Sequence, residues 1–136
     1  MKTFFNVTVC LATAYLLSSC DYKRDFVEPS SPLGALFARG NGKSTFDEAR
    51  KLIFQTLPPG SPESAVDGYI KKNFRSAPRI TASRIYQWYE GKPYICIRVR
   101  ESSTFPAGGS KLEIVFVLSP DRKLSDIVIY DDGAFL

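Results

Sequence analysis

Tyr94-Ile95-Cys96-Ile97-Arg98-Val99-Arg100 is the stretch whose reading decides the fold. Ile95, Ile97 and Val99 fall on one side, and Tyr94, Cys96, Arg98 and Arg100 on the other. That period of two belongs to a strand with one face in a core. Two more runs of the same kind follow. Leu112, Ile114, Phe116 and Leu118 mark one strand, and Leu124 to Tyr130 another, with Ile127 and Ile129 directed inward. Ser102 to Ser110, with Pro106 and Gly108-Gly109, reads as a longer loop between the first two, and Ser119-Pro120-Asp121-Arg122-Lys123 as a turn. Upstream, Ile80 to Glu90 also reads as a strand, carrying Ile85, Tyr86, Trp88 and Tyr89, and Gly91-Lys92 closes it.

Before Arg79 the period is helical. Phe46, Ala49, Ile53 and Leu57 share one face, Thr45 and Glu48 have capping-box spacing, and Pro58 ends the run. A second helix is expected at once, with Ser61 as its cap, Pro62 at the first position and Glu63 in the first turn. Its apolar stripe is Ala65, Val66, Tyr69, Ile70 and Phe74. Gly68 in that helix either costs ~1 kcal/mol relative to Ala or permits close packing. The expected architecture for residues 44–136 is α+β: two N-terminal helices packed on one face of a three- to four-stranded antiparallel sheet. The other face of such a sheet is left partly open.

The N-terminus has a different character. Lys2 precedes a predominantly apolar run from Phe4 to Leu17. That run is shorter than the ~20 residues of a membrane span and has the length of a secretory h-region. It ends at Leu17-Ser18-Ser19-Cys20, which resembles the lipobox of bacterial lipoproteins. The resemblance implies a signal peptide over 1–19, cleavage before Cys20, and acylation of Cys20 with diacylglycerol and then an amide-linked chain such as palmitate. Ala12-Thr13-Ala14 offers ordinary signal peptidase a competing site, with about eight apolar residues upstream of it. Asp21 after the lipidated Cys resembles an inner-membrane retention signal. Residues 20–43 hold Pro29, Pro32, Gly34, Gly40 and Gly42 without sustained periodicity, and are expected to be a flexible tether. Leu33, Leu36 and Phe37 are placed to make one turn that docks on the domain.

Composition narrows the chemistry. The 136 residues contain no His, which removes the commonest general base and zinc ligand. Of three Cys, only Cys96 lies in the patterned region, where a buried thiol is expected. Gly40-Asn41-Gly42-Lys43-Ser44-Thr45 suggests a phosphate loop, but Phe37 occupies its first glycine position. Asp126, Asp131 and Asp132 lack EF-hand spacing, and Ser102, Ser103 and Ser110 have no base. No catalytic residue, metal or cofactor is assigned. Two binding surfaces remain as candidates. One is the aromatic group Tyr86, Trp88, Tyr89 and Tyr94 with Arg98 and Arg100, of the composition that dominates protein interfaces. The other is the basic stretch 71–100, which also holds Lys71, Lys72, Arg75, Arg79, Arg84 and Lys92 and would suit an anionic phospholipid or small anion.

Leu57-Pro58-Pro59-Gly60-Ser61-Pro62 through Val66, Trp88-Tyr89 and Ile114-Val115-Phe116 together resemble the small outer-membrane-assembly lipoproteins of the SmpA/OmlA (BamE) kind and the related beta-lactamase-inhibitor-like domains. The resemblance implies the same helix–helix–sheet order and a non-enzymatic role. The expected function is therefore that of a membrane-anchored lipoprotein of the bacterial envelope, facing the periplasm and binding a protein partner. Binding of an anionic ligand through 71–100 is the alternative, and nucleic acid is not expected.

Overall fold

The structure is a computed structural model that describes residues 22–40, 42–80, 91–104 and 108–133. Among these residues there are three helices and five strands, an α+β arrangement. In chain order they are β1 (Tyr22–Asp25), α1 (Pro32–Ala38), α2 (Lys43–Thr56), α3 (Glu63–Asn73), β2 (Arg79–Ile80), β3 (Tyr94–Thr104), β4 (Gly108–Leu118) and β5 (Leu124–Gly133). The sheet order is β1-β3-β4-β5, and every pairing is antiparallel. The two-residue β2 also pairs with β3, at Ile97 and Cys96, whereas β1 pairs with Arg100 to Ser103. One edge of β3 is thus covered by two short strands laid end to end.

The alternation in β3 does what the sequence implies. Ile95, Ile97 and Val99 join Leu112, Ile114, Phe116 and Leu118 of β4 and Leu124 and Ile127 of β5 in one core. Ala49 and Ile53 of α2 and Val66 and Ile70 of α3 complete it. Most of these side chains are fully buried, each stabilising by about 1.5–3 kcal/mol relative to exposure. The opposite edge, β5, is blunted by Arg50 of α2. Its Nε donates to the Ile127 carbonyl at 3.1 Å and its Nη2 to Asp126 at 2.7 Å, which closes part of a free edge against pairing with another chain.

The helix starts differ slightly from expectation. Lys43 begins α2 and Gly42 occupies its N-cap, so Thr45 lies inside the helix. Pro62, not Ser61, caps α3, and the Ser61 hydroxyl donates to the Pro58 carbonyl instead. Glu63 stands in the first turn of α3, where a carboxylate suits the helix dipole. Both of its carboxylate oxygens also accept from Arg122, which holds it below the usual carboxylate range.

The largest correction concerns residues 22–38, expected to be part of a flexible tether. They are built into the domain. Phe26, Val27, Leu33, Leu36 and Phe37 are all buried. Val27 bridges to Phe74, the Glu28 amide donates to the Asn73 carbonyl at 2.8 Å, and Glu28 takes two bonds from Arg75. The prolines and glycines that suggested a linker are punctuation for a short helix. Ser31 caps α1 by accepting from the Gly34 amide at 3.0 Å, and Pro32 follows at the first helical position. A Cβ on Gly34 would come within 2.3 Å of the Glu28 carbonyl oxygen, so only glycine allows that close approach. The docking turn expected of Leu33, Leu36 and Phe37 is α1, which makes the helices three rather than two.

Candidate functional site

Of the candidate partner-binding residues, Tyr94, Arg98 and Arg100 lie in the described region, whereas Tyr86, Trp88 and Tyr89, like Cys20, lie outside it. The expected strand from Ile80 to Glu90 is likewise described only at β2.

Tyr94 and Arg98 lie on the sheet face away from the helices, and Arg100 does not. The reason is a β-bulge. Arg98 stands opposite Glu113, yet Arg100 stands opposite Leu112, so Val99 is the extra residue. The parity of β3 changes there and turns Arg100 toward the helices. Its Nε donates to Asp25 of β1 at 2.5 Å and its Nη2 to the Phe37 carbonyl at 3.3 Å. Arg100 therefore binds β1 and the C-terminal turn of α1 to the sheet, and the expectation that it belongs to the partner surface is corrected.

The outer face has two zones. Near β2 lies a second apolar cluster, in which Cys96, Val115 and Val117 are almost fully buried and Ile80, Tyr94, Val128 and Tyr130 are half-buried around them. Burial, with the Glu113 charge adding to it, pushes the Cys96 thiol up to about 12. It is a protonated core side chain, not a nucleophile.

Toward β1 the cluster meets a line of polar side chains that crosses the sheet. The Tyr130 hydroxyl donates to Glu113 Oε2. Glu113 Oε1 is 3.5 Å from Arg98 Nη2, and Arg98 Nη1 donates to Glu101 Oε1 at 2.9 Å. The Tyr22 hydroxyl donates to Glu101 Oε2 at 3.3 Å. Members come from β5, β4, β3 and β1 in turn. Glu113 is only 5% exposed, so its charge depends on these partners rather than on water. Burial works against the charge on Arg98, but Glu101 and Glu113 outweigh it and hold the guanidinium above its usual range. Arg98 in turn holds Glu101 below the usual carboxylate range. Arg98 Nε is buried with no acceptor among the described residues, a deficit of about 1–3 kcal/mol.

Sequence reading missed Glu113, Glu101, Tyr130 and Tyr22. The visible signal was Glu113 itself, a single charge inside the apolar run Leu112 to Leu118, on the same alternating face as Val115 and Val117.

Four arginines of the basic stretch are neutralised within the fold. Arg75 pairs with Glu28, Arg79 with Asp67, Arg98 with Glu101 and Glu113, and Arg100 with Asp25. Lys71 and Lys72 stay exposed in the last turn of α3, where the helix dipole favours them. Asp126 pairs with Arg50. Among the described residues no group of three or more Cys, Asp or Glu is placed to hold a metal ion. No helix there is long and apolar enough to cross a membrane.

A shallow groove of about 470 Å³ lies between α2 and α3, over Pro32 and Leu33. Gly68 lines it, and a Cβ there would meet nothing within 4 Å. Close packing is therefore not the reason for that glycine. Compared with protein-family models, curated proteins and solved structures, the chain matches none.

Proposed function

We propose that the chain is a lipoprotein of the bacterial cell envelope, anchored through acylated Cys20 and facing the periplasm. Its small α+β domain binds a protein partner without catalysis. Asp21 favours retention at the inner membrane. The resemblance to SmpA/OmlA (BamE)-like domains, carried by Leu57 to Val66, Trp88-Tyr89 and Ile114 to Phe116, belongs to the same proposal.

One observation carries the partner-binding part. The sheet face away from the helices is a built layer and not a merely solvated one. Half-buried Tyr94, Val128 and Tyr130 surround a dry centre, and the Arg98–Glu113 pair borders it. Aromatic anchors beside an apolar centre with a polar border are the anatomy of a recognition surface. Tyr86, Trp88 and Tyr89 remain proposed members of it. The alternative, an anionic ligand held by 71–100, draws less support because four of its arginines already have carboxylate partners.

The test is a charge placed in the patch. Full-length tagged chain, crosslinked in its own envelope, is expected to retain a reproducible protein partner. Val128→Lys is expected to lose that partner at least tenfold, about 1.4 kcal/mol. Thermal unfolding should shift by no more than about 4–8 °C, the mark of a change of 1 kcal/mol or less in a domain of this size. A partner retained equally by the variant, or none in wild type, rejects the reading.

A further inference from the structure

The absence of a tether has a geometric consequence, which rests on the proposed acylation of Cys20. Only Asp21 separates Cys20 from Tyr22, the first residue of β1. Two residues span at most about 7 Å. From Tyr22 onward the chain is fixed. Tyr22 pairs with Ser103, Lys23 with Ser102, Arg24 with Glu101 and Asp25 with Arg100. The Phe26 amide then donates to the Val99 carbonyl at 2.9 Å, and Arg100 grips Asp25. The domain has no slack with which to swing away from its anchor.

The surface presented at that point suits a bilayer. All four β1 residues are exposed, and Tyr22, at 41%, is the large apolar side chain left open among the described residues. The Arg24 guanidinium lies 5.5 Å from the Tyr22 ring centroid. Lys23 and Arg24 follow each other with an aromatic beside them. Tyrosines at the headgroup level and long cationic side chains that reach phosphates are what a membrane interface selects.

We propose that the Tyr22 end of β1 is a membrane-docking edge, where Tyr22, Lys23 and Arg24 reach the phospholipid headgroups of the bilayer that holds the anchor and from which the strands rise. The β4–β5 turn, with Lys123, is then the distal pole. Tyr22 stands opposite Ser103 and, through it, Gly109, and Leu118 ends β4 just before that turn. Nine strand residues separate the two levels by about 30 Å. The orientation also restricts the partner. The patch of Tyr94, Val128 and Tyr130 lies between these levels, within about 30 Å of the lipid. Its partner is a protein held in or at the same membrane.

The test uses the full lipidated chain reconstituted in vesicles of phosphatidylethanolamine and phosphatidylglycerol. Nitroxide labels are placed at Lys23→Cys and, separately, at Lys123→Cys. Both sites are exposed, whereas Cys96 is 2% exposed and stays unlabelled in wild type. Collision rates with lipid-soluble oxygen and with a water-soluble nickel chelate are compared. A severalfold higher oxygen-to-nickel ratio at position 23 than at 123 is expected. Equal ratios in protein that floats with the vesicles overturn the docking edge and leave the acylation standing. Protein that fails to float overturns the acylation, and the docking edge with it.

Discussion

Phe37→Ala is expected to remove about 3–5 kcal/mol of folding stability, the usual range for truncating a buried phenylalanine. Phe37 lies in α1, is 1% exposed and belongs to the main core with Leu33 and Leu36. Its carbonyl also accepts from Arg100, so a collapse around the cavity would disturb the joint between α1 and the sheet. For a domain of this size, with total stability of about 5–15 kcal/mol, the loss is a large fraction. The unfolding midpoint should fall by more than about 10 °C. Ala35, exposed on the same helix, supplies the control, since Ala35→Ser should stay within about 0.5 kcal/mol. Thermal or urea unfolding followed by circular dichroism reads both. A Phe37→Ala midpoint as close to wild type as the control would mean that residues 22–38 are a tether after all.

The second large effect is expected at Glu113. Replacing it with Leu strips a partner from Arg98, whose side chain is 20% exposed, and removes the carboxylate that accepts from the Tyr130 hydroxyl. Breaking a buried pair from one side typically costs about 3–5 kcal/mol, because the surviving charge has lost its compensation. Tyr130→Phe removes the hydrogen bond to Glu113 without stripping a charge, and should cost only about 0.5–1.5 kcal/mol. The double variant Arg98→Met, Glu113→Leu is the informative arm. Filling both positions with apolar side chains should recover most of the loss, since a buried ion pair and a packed apolar pair are often close in stability. Urea midpoints of wild type, Arg98→Met, Glu113→Leu and the double variant form the cycle. A Glu113→Leu loss below about 1 kcal/mol would show that the carboxyl is solvated and that the line across the sheet is a set of independent surface contacts.

Period-two alternation in Ile95 to Val99, Leu112 to Leu118 and Ile127 identified the core face of three strands. The stripes through Ala49, Ile53, Val66 and Ile70 identified two helices. Both signals come from burial repeated along one element, and that is what periodicity measures. β1 carries no such signal, because all four of its residues are exposed and its place is set by hydrogen bonds to β3. The seven residues of α1 are too few to show a period, and its Pro and Gly resemble linker chemistry until their partners are known. The bulge at Val99 is equally silent. Counting by twos carries Arg100 to the face of Arg98, whereas the extra residue sends it to the other side.

The candidate site was legible only in outline. Tyr94 and Arg98 were named from alternation and composition. The carboxyls that neutralise the basic stretch sit on α3, β1, β3, β4 and the β1–α1 connection, at sequence distances from 3 to 75 residues. A charge tally along the chain cannot see such partners, which is why 71–100 looked more cationic than it is in the folded domain. Leu17-Ser18-Ser19-Cys20 is the reverse case. The acylation proposed there rests on the linear chain alone, and both the proposed compartment and the proposed docking edge at β1 depend on it.

The most direct measurement is therefore made at Cys20. Bacterial cells expressing the full chain are grown with radioactive palmitate, and wild type is compared with Cys20→Ala. The account predicts label on a wild-type protein whose mature chain begins at Cys20, and none on the variant. Equal label on both, or none on either, would contradict it.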